Sequence, residues 1–467
     1  MSAVSRPLRR LSVALGLTKA YFPEDCPPND LRTHSAITAG LSDFLVASKA
    51  SYLKDPSAGD WTVVMGNEAG DLDSIASAIA FAWIQSEVHK VPTIPLVQIT
   101  REDFALRAEN LYALSLAGIS DPPSQLLSLS DIASFPTPFP SKKFALVDHN
   151  HIADRFMKDN PSAEITAVVD HHADEGLYPK AKPRIVAPAG SCSSHIAALS
   201  PQTIPAELAT LLFCAILIDT DGLKPGGKAV DLDRDSAIFL ATKSTYAEKI
   251  PSISSMGGKP PPDFLYDQEA VKALTSNLVS KKADVSQLSA HDLIRRDYKE
   301  YTFTLTWAKE TPSPSIKAGL STVSVQLKVW GSDGKLEEAA VAWMQSRGLN
   351  VLGILTSYNK KPKRLGKAKG KHERETAWIV LDQGVDTAEL ATRLWTGLEA
   401  NKEISVKKHK KFDLEKGGRL PKGARAKVYK QGNAKANRKT IAPVLKDILE
   451  PAVAPTTTAT APAAVAA

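Results

Sequence analysis

The apolar positions of this chain come in short blocks, and several of the blocks stop on an acid. Val63-Val64-Met65 is a run rich in β-branched residues that halts at Gly66. After a polar turn an apolar-periodic segment, Ile75 to Val88, takes over, so the pattern predicts strand, loop, helix. Residues 35–54, with Ile37, Leu41, Phe44 and Leu45 at helical spacing, predict an amphipathic helix leading into a strand at 61–65. Ile94–Ile99 reads as the next strand and Leu106–Leu116 as a helix, and Pro122, Pro123, Pro136, Pro138 and Pro140 then mark a loop-rich passage. Phe144–Val147, Ile165–Val169 and Arg184–Val186 read as strands, and Glu207–Ile218, apolar almost all round, as a buried helix. Alternating helices and apolar strands predict an α/β domain over about 35–245, built on a mainly parallel sheet covered on both faces.

Residues 246–285, with the triplet Pro260-Pro261-Pro262, suit a linker and helical connection. A smaller α/β or α+β domain is expected over 286–450. Its strands are Tyr301–Thr306, Leu320–Val329, Val351–Ser357 and Thr376–Leu381, with helices at Leu336–Arg347 and Val385–Leu398. Lys360–Glu375 is too charged to pack and reads as a flexible basic loop. Residues 1–34 form an N-terminal extension, and 451–467, mostly Ala, Pro and Thr, a disordered tail.

Charge sharpens this division. Residues 360–375 and 401–440 carry +6 and +11 of a net +7, so the rest of the chain sums to −10. An acidic body with a basic C-terminal part suggests a polyanionic partner. With 43% hydrophobic residues and no long apolar run, neither disorder nor a membrane partner is indicated. Cys26, Cys192 and Cys214 show no CxxC spacing, which suits a reducing compartment such as the cytoplasm. The first 23 residues hold Arg6, Arg9, Arg10 and Lys19 with no acid, so a mitochondrial transit peptide is the alternative to an ordinary N-terminus.

Four apolar runs end in chemistry. The first leads to Asp71 and Asp73; the others stop at Asp148-His149-Asn150, Asp170-His171-His172 and Asp219-Thr220-Asp221. Taken singly each has a plain structural reading, since Asp73 or Ser74 could cap the helix and Asp148 could form a turn. In a parallel sheet, however, such ends converge on one edge. Carboxylates with one or two imidazoles suit Mg²⁺ or Mn²⁺, and the surplus of acids suggests two ions. Paired ions can clamp the attacking and leaving oxygens of a phosphoryl group, which points to phosphoester or phosphoanhydride hydrolysis.

These residues resemble a known family. Gly66-Asn67-Glu68-Ala69-Gly70-Asp71-Leu72-Asp73-Ser74, Val147-Asp148-His149-Asn150, Asp170-His171-His172 and Asp219-Thr220-Asp221 are similar to the four motifs of the DHH phosphoesterase superfamily, in order. Arg296-Asp297-Tyr298-Lys299-Glu300 and Asn437-Arg438-Lys439 resemble the signatures of the smaller C-terminal domain of fungal exopolyphosphatases, prune proteins and family II pyrophosphatases. The resemblance implies an active site in the cleft between the two domains. Two divalent cations would be held by Asp71, Asp73, Asp148, His171 and Asp219, with Asp148 as the bridge. His172 would contact a phosphate oxygen or the leaving group, and Lys299, Arg438 and Lys439 would bind phosphates. Gly190-Ser191-Cys192-Ser193-Ser194-His195 resembles the family's Gly-Ser loop, which makes Ser191 and His195 candidate substrate contacts. Family II pyrophosphatases carry His where this chain has Asn67, whereas exopolyphosphatases and prune proteins have Asn. That difference favours exopolyphosphatase and a first metal site shifted from Mn²⁺ toward Mg²⁺. Inorganic polyphosphate or another phosphoanhydride is the expected partner, with no obligate nucleic acid. The alternatives are prune-like hydrolysis of short-chain or nucleoside polyphosphates or cyclic nucleotides, a pyrophosphatase, and a catalytically weak scaffold binding RNA or acidic proteins.

Overall fold

The computed structural model describes residues 40–57, 61–250, 260–308, 314–360, 371–382, 384–415 and 419–450. The N-terminal extension, the C-terminal tail, residues 251–259 of the expected linker and 361–370 of the expected basic loop lie outside them. The chain divides into two compact units, Met1–Asp284 and Val285–Ala467.

The first unit runs α1 (Leu41–Lys54), β1 (Thr62–Met65), α2 (Leu72–Trp83), β2 (Thr93–Val97), α3 (Ala108–Leu116), α4 (Pro122–Gln125), β3 (Leu127–Ser128), β4 (Lys143–Val147), α5 (Asp154–Met157), β5 (Glu164–Asp170), β6 (Arg184–Val186), α6 (Cys192–Leu199), α7 (Ala206–Asp219), α8 (Asp231–Lys243), α9 (Phe264–Asp267) and α10 (Glu269–Ala283). Its strands form one sheet in the order β3-β2-β1-β4-β5-β6, and every pair is parallel. Both faces are covered. Val64 packs with α2, α6 and α7, while Val63 and Met65 join Tyr52, Phe139, Phe144 and Phe156 on the opposite side. That double burial is why β1 reads as an unbroken apolar run. The chain leaves β1 toward β2 and β3, then returns to β4 on β1's other flank, so a topological switch point falls between the carboxyl ends of β1 and β4.

Several local expectations are corrected. α2 starts at Leu72, before Ile75, because Asp71 caps it by accepting the Ser74 amide at 3.2 Å; neither Asp73 nor Ser74 is the cap. The proline-marked passage holds α4 and the edge strand β3, with Pro122 at the first helical position, where its missing N–H costs nothing. Of the Gly190–His195 stretch read as a Gly-Ser loop, Cys192–His195 forms the first part of the helix α6. The helix α10 packs into the first core through Val271, Leu274 and Leu278.

The second unit runs α11 (Ala290–Arg296), β7 (Tyr298–Thr304), β8 (Ser315–Val323), α12 (Leu327–Trp330), α13 (Lys335–Arg347), β9 (Val351–Thr356), β10 (Tyr358–Lys360), β11 (Lys371–Val380), α14 (Thr387–Ala400), β12 (Val406–Lys408), β13 (Arg425–Gln431) and α15 (Arg438–Leu449). Its main sheet has the order β12-β13-β11-β9-β8-β7, in which β8 and β9 are parallel and the other pairs antiparallel. α14 and α15 cover one face, α11 and α13 the other. Leu320–Val329, expected as one strand, splits: β8 ends at Val323 and α12 follows, leaving Val329 72% exposed where a central strand would bury it. The basic stretch also packs more than its charge suggested. Lys371–Glu375 belongs to β11: Lys371, His372 and Glu373 pair with β10 and Arg374 and Glu375 with β13, and the side chains pass from exposed at Lys371 and His372 through half-buried at Glu373 and Arg374 to buried at Glu375. Among the described residues no helix is long and apolar enough to cross a membrane.

Candidate metal centre

β1 delivers the first acids through a tight loop. At Gly66 a Cβ would stand 2.5 Å from the Ser74 Cβ and 2.7 Å from its carbonyl oxygen, so only glycine lets the strand end lie this close to α2. Gln98 Nε2 donates to the Gly66 carbonyl at 2.6 Å and Asn110 Nδ2 to the Gly70 carbonyl at 2.8 Å, pinning the loop from behind. Asp73 is buried in the first turn of α2 and meets the N-terminus of α6. Its Oδ1 accepts the hydroxyls of Ser191 and Ser193 at 2.7 Å and the Ser193 amide at 2.8 Å, and its Oδ2 accepts the Cys192 amide at 2.7 Å. A helix N-terminus is where a carboxylate is best stabilised.

β4 and β5 bring the second cluster alongside. Asp148 adopts φ 61°, a left-handed conformation that Asp tolerates, and turns its carboxylate into the interior. Its Oδ2 accepts Asn67 Nδ2 at 2.7 Å and the Ser74 hydroxyl at 2.6 Å. Its Oδ1 lies 3.2 Å from His171 Nε2, which is also 3.9 Å from Asp73 Oδ2. Because His171 Nδ1 is taken by the Ala189 carbonyl at 3.0 Å, Nε2 is the edge turned to both acids. A bare imidazole lone pair facing a carboxylate oxygen is repulsive, so a proton or a cation has to sit between them. His172 stands edge-on to His171, its Nδ1 held by Asp170 Oδ1 at 2.8 Å. Asn150 Nδ2 fixes Asp170 from the other side and also donates to the Ala173 carbonyl. Ligand atoms of Asp148, His171 and His172 all lie within 4.8 Å of one another. This donor set fits a divalent cation.

The electrostatics agree. Burial, followed by the like charge of Asp73, drives the Asp148 carboxyl well above its usual range, against the opposing pull of His171. Asp219, the last residue of α7, is pushed up to about 8 by burial and by Asp73 and Asp71, with Lys282 and His171 acting the other way. Burial works to lower His171, but its bond to Asp148 and the charges of Asp73 and Asp148 outweigh it and lift the imidazolium to about 10. Asp170 goes the other way. Its burial is outweighed by hydrogen bonds from His172 and Asn150, which hold it at about 2. Buried acids that crowd one another in this way are relieved by taking up a cation.

The remaining sequence candidates are placed as follows. The Asn67 oxygen accepts the Ala69 amide at 2.8 Å while its nitrogen holds Asp148, so in this arrangement Asn67 offers Asp148 a donor rather than offering a metal its oxygen. Ser191 gives its hydroxyl to Asp73, and His195 is buried with Nε2 2.8 Å from the Ala187 carbonyl. In the second unit Lys299 and Lys439 are exposed. Arg438, first in α15, pairs with Asp297 Oδ1 at 2.8 Å and donates to the Asp297 carbonyl at 3.0 Å.

The supporting roles of two residues had no sequence signal. Ser74 closes the first motif but on its own reads as a possible cap, and Asp233 follows no apolar run. Yet buried Asp233 accepts the amides of Gly190 and Val230 at 2.8 Å and the Ser194 hydroxyl at 2.6 Å. It thereby fixes the turn from which α6 reaches Asp73. At Gly190 a Cβ would stand 2.6 Å from Thr220 Cγ2 and 2.8 Å from the Asp233 carboxylate.

A parallel sheet with acids and imidazoles at the switch point, followed by a separate mixed-sheet unit, defines a class of two-domain protein. Residues 61–216 match the DHH family, N-terminal domain, and residues 276–448 the DHHA2 domain. The chain belongs to the DHH family, in the arrangement where a DHHA2 domain follows the DHH domain. It is similar to a Schizosaccharomyces pombe protein named "Putative exopolyphosphatase", at 29% identity over 65% of this chain and 74% of that protein. It is also similar to Exopolyphosphatase PRUNE1 of Rattus norvegicus, at 24% identity over 83% of this chain and 75% of that protein. A manganese-dependent inorganic pyrophosphatase of Methanothrix thermoacetophila matches at 27% identity over 56% of this chain and 69% of that protein.

Proposed function

We propose that this protein is a metal-dependent hydrolase of phosphoanhydride bonds, and specifically an exopolyphosphatase that releases terminal phosphate from inorganic polyphosphate. The observation that carries the reading is the cluster of buried Asp148 and half-buried His171, with Asp73 and His172 against it, an arrangement suited to divalent cations. The names of the relatives supply the reaction class. Asp71, Asp73, Asp148, His171 and Asp219 are assigned to hold two cations, Mg²⁺ or Mn²⁺. Such ions, when bound, polarise phosphoryl oxygens and lower the pKa of water. Asp170 fixes the tautomer of His172, which leaves Nε2 to hydrogen-bond a phosphate oxygen or the leaving oxygen. Water oxygen bonds to the terminal phosphorus and gives up a proton to solvent, the bridging P–O bond breaks, and its electron pair leaves with the shortened chain. Lys299, Arg438 and Lys439 are assigned to the phosphates, as charged donors that neutralise a multiply ionised substrate.

One specific observation favours a second reading, inorganic pyrophosphatase, since a relative carries that name. Phosphate release from long polyphosphate, tripolyphosphate, pyrophosphate and cAMP, measured under one set of conditions, separates the two and the prune-like alternative. The highest kcat/KM is expected for long polyphosphate, falling as salt rises. Retained RNA binding with no metal-dependent release from any of the four would replace the enzyme reading with the scaffold.

A further inference from the structure

The second sheet collects cations on one face. Lys299 lies opposite Leu320, and Arg374 alternates with Thr376, Trp378 and Val380. Leu320, Trp378 and Val380 all belong to the core under α14 and α15, so Lys299 and Arg374 project from the face that α15 covers. Arg374 pairs with Gln431, the last residue of β13, after which the chain passes through residues 432–437 into α15. Its Nε donates to the Ala434 carbonyl at 2.8 Å, which ties the guanidinium to that loop.

What marks Arg374 is a missing counter-charge at a half-buried position. Arg295, Arg347 and Arg438 in the same unit each hold a carboxylate, at 2.9, 3.1 and 2.8 Å. Arg374 is half-buried, burial alone pulls it below the usual guanidinium range, and no carboxylate among the described residues offsets that. A partly desolvated cation held in place by its backbone contact, with its Nη edge left over, is built for an anion that arrives from outside.

The register gives the span. Lys299 lies in line with Leu320, Gly353 and Trp378, three strands across, and Arg374 is four residues further along β11. Strand spacings of about 4.8 Å and a rise of about 3.4 Å per residue put the two Cα atoms about 15–20 Å apart. One pyrophosphate does not fill that distance. A longer chain does.

We propose that Arg374 is a phosphate-binding residue for units of a polyphosphate chain beyond the terminal pair, and that it makes the protein select long chains over short ones. The inference rests on the phosphohydrolase reading above. It is tested with Arg374→Ala and Arg374→Lys, by measuring kcat/KM for long polyphosphate and for the shorter of pyrophosphate and tripolyphosphate that the wild type hydrolyses. Calorimetric binding of long polyphosphate to each protein runs in parallel.

The ratio of the two kcat/KM values should fall about tenfold in Arg374→Ala, the size of one lost charge-assisted contact. Arg374→Lys, which keeps the charge without the fork, should lie between. An equal loss on both substrates would make Arg374 a prop for the loop before Arg438, and an unchanged ratio would leave it a surface cation; either result overturns the inference. If Arg374→Ala does not fold, Arg374→Lys decides alone. Should the wild type hydrolyse nothing, the phosphohydrolase reading fails. Calorimetry then judges Arg374 separately, with binding about tenfold weaker in its favour and unchanged binding against it.

Discussion

The candidate site residues of the two units are held in opposite ways. In the first, Asp73 is gripped by Ser191, Cys192 and Ser193, and Asp148 by Asn67, Ser74 and His171, every group buried or half-buried. In the second, Lys299 and Lys439 stand in solvent and Arg438 leans on a single acid. A buried pocket saturated with short hydrogen bonds can take only a few positions, and so it specifies geometry. Exposed ammonium groups on flexible stems specify little beyond charge, and their pull on an anion is screened by salt. Damage to the first unit should therefore appear in turnover or metal affinity and be abrupt; damage to the second should be graded.

Asp148→Asn presses that contrast hardest. The variant keeps the shape and one acceptor, so the fold should survive, while the carboxylate at the centre of the cluster is gone. We expect kcat to drop on the order of 10³-fold or more with the circular dichroism spectrum unchanged. Near-normal phosphate release would remove Asp148 from the chemistry and with it the claim that the first unit is geometrically strict.

Asp233→Ala probes strictness at one remove. The substitution unpairs the Gly190 and Val230 amides and the Ser194 hydroxyl, loosening the N-terminus of α6 and hence Asp73. Affinity for Mn²⁺, read by titration calorimetry, should weaken about 10- to 100-fold, the usual cost of removing a group that orients a metal ligand. If stability falls and Mn²⁺ affinity does not, Asp233 supports the fold alone.

Arg438→Ala and Lys439→Ala belong to the graded side. Each should raise KM and lower kcat together, roughly tenfold, if it holds reacting phosphates. Raising the ionic strength of the wild-type assay should imitate part of the KM change. Kinetics that move in neither case would return both residues to an ordinary basic surface.

What the sequence made legible follows the same line. Apolar strands that end in Asp or His announced the parallel sheet and most of the acid cluster, because burial on both faces leaves a continuous run with a sharp polar stop. Supporting groups such as Ser74 and Asp233 left no such trace, since a serine or acid near a helix start has the same spelling whatever it holds. In the second unit charge itself misled. Lys371–Glu375 can join a strand because Lys371 and His372 stay exposed, Glu373 and Arg374 are only half-buried, and buried Glu375 finds His409 Nε2 at 3.2 Å and Gln326 Nε2 at 3.2 Å, partners distant in sequence. α15 went unread because Pro443 interrupts its pattern, although Asn437 caps it at 2.9 Å.

The smallest effect concerns stability, and it too should belong to one unit. Asp219, held at about 8, and His171, held at about 10, bind protons more tightly in the folded chain than in the unfolded one. The stability they carry is complete below their unfolded values and is lost as pH rises through the folded ones, so between pH 6.5 and 8 both lose in the same direction. Asp170, at about 2, is ionised in both states across that window and adds no slope, while His149 and His195, lowered by burial, act in the opposite sense only near pH 6.5 and offset a part of the loss. In the second unit the shifted carboxylates Asp292, Glu300, Glu375 and Glu399 all move down and the shifted tyrosines up, away from the window. Protein dialysed against EDTA should therefore melt roughly 3–8 °C lower at pH 8.5 than at pH 6.5, and saturating Mn²⁺ should abolish that slope by replacing the protons. Hydrogen exchange should place the loss of protection in the first unit while the second stays level. A metal-free melting point that is flat or rises with pH would mean that the acids of the first unit do not crowd one another, and the contrast between a strict pocket and a tolerant surface would lose its physical cause.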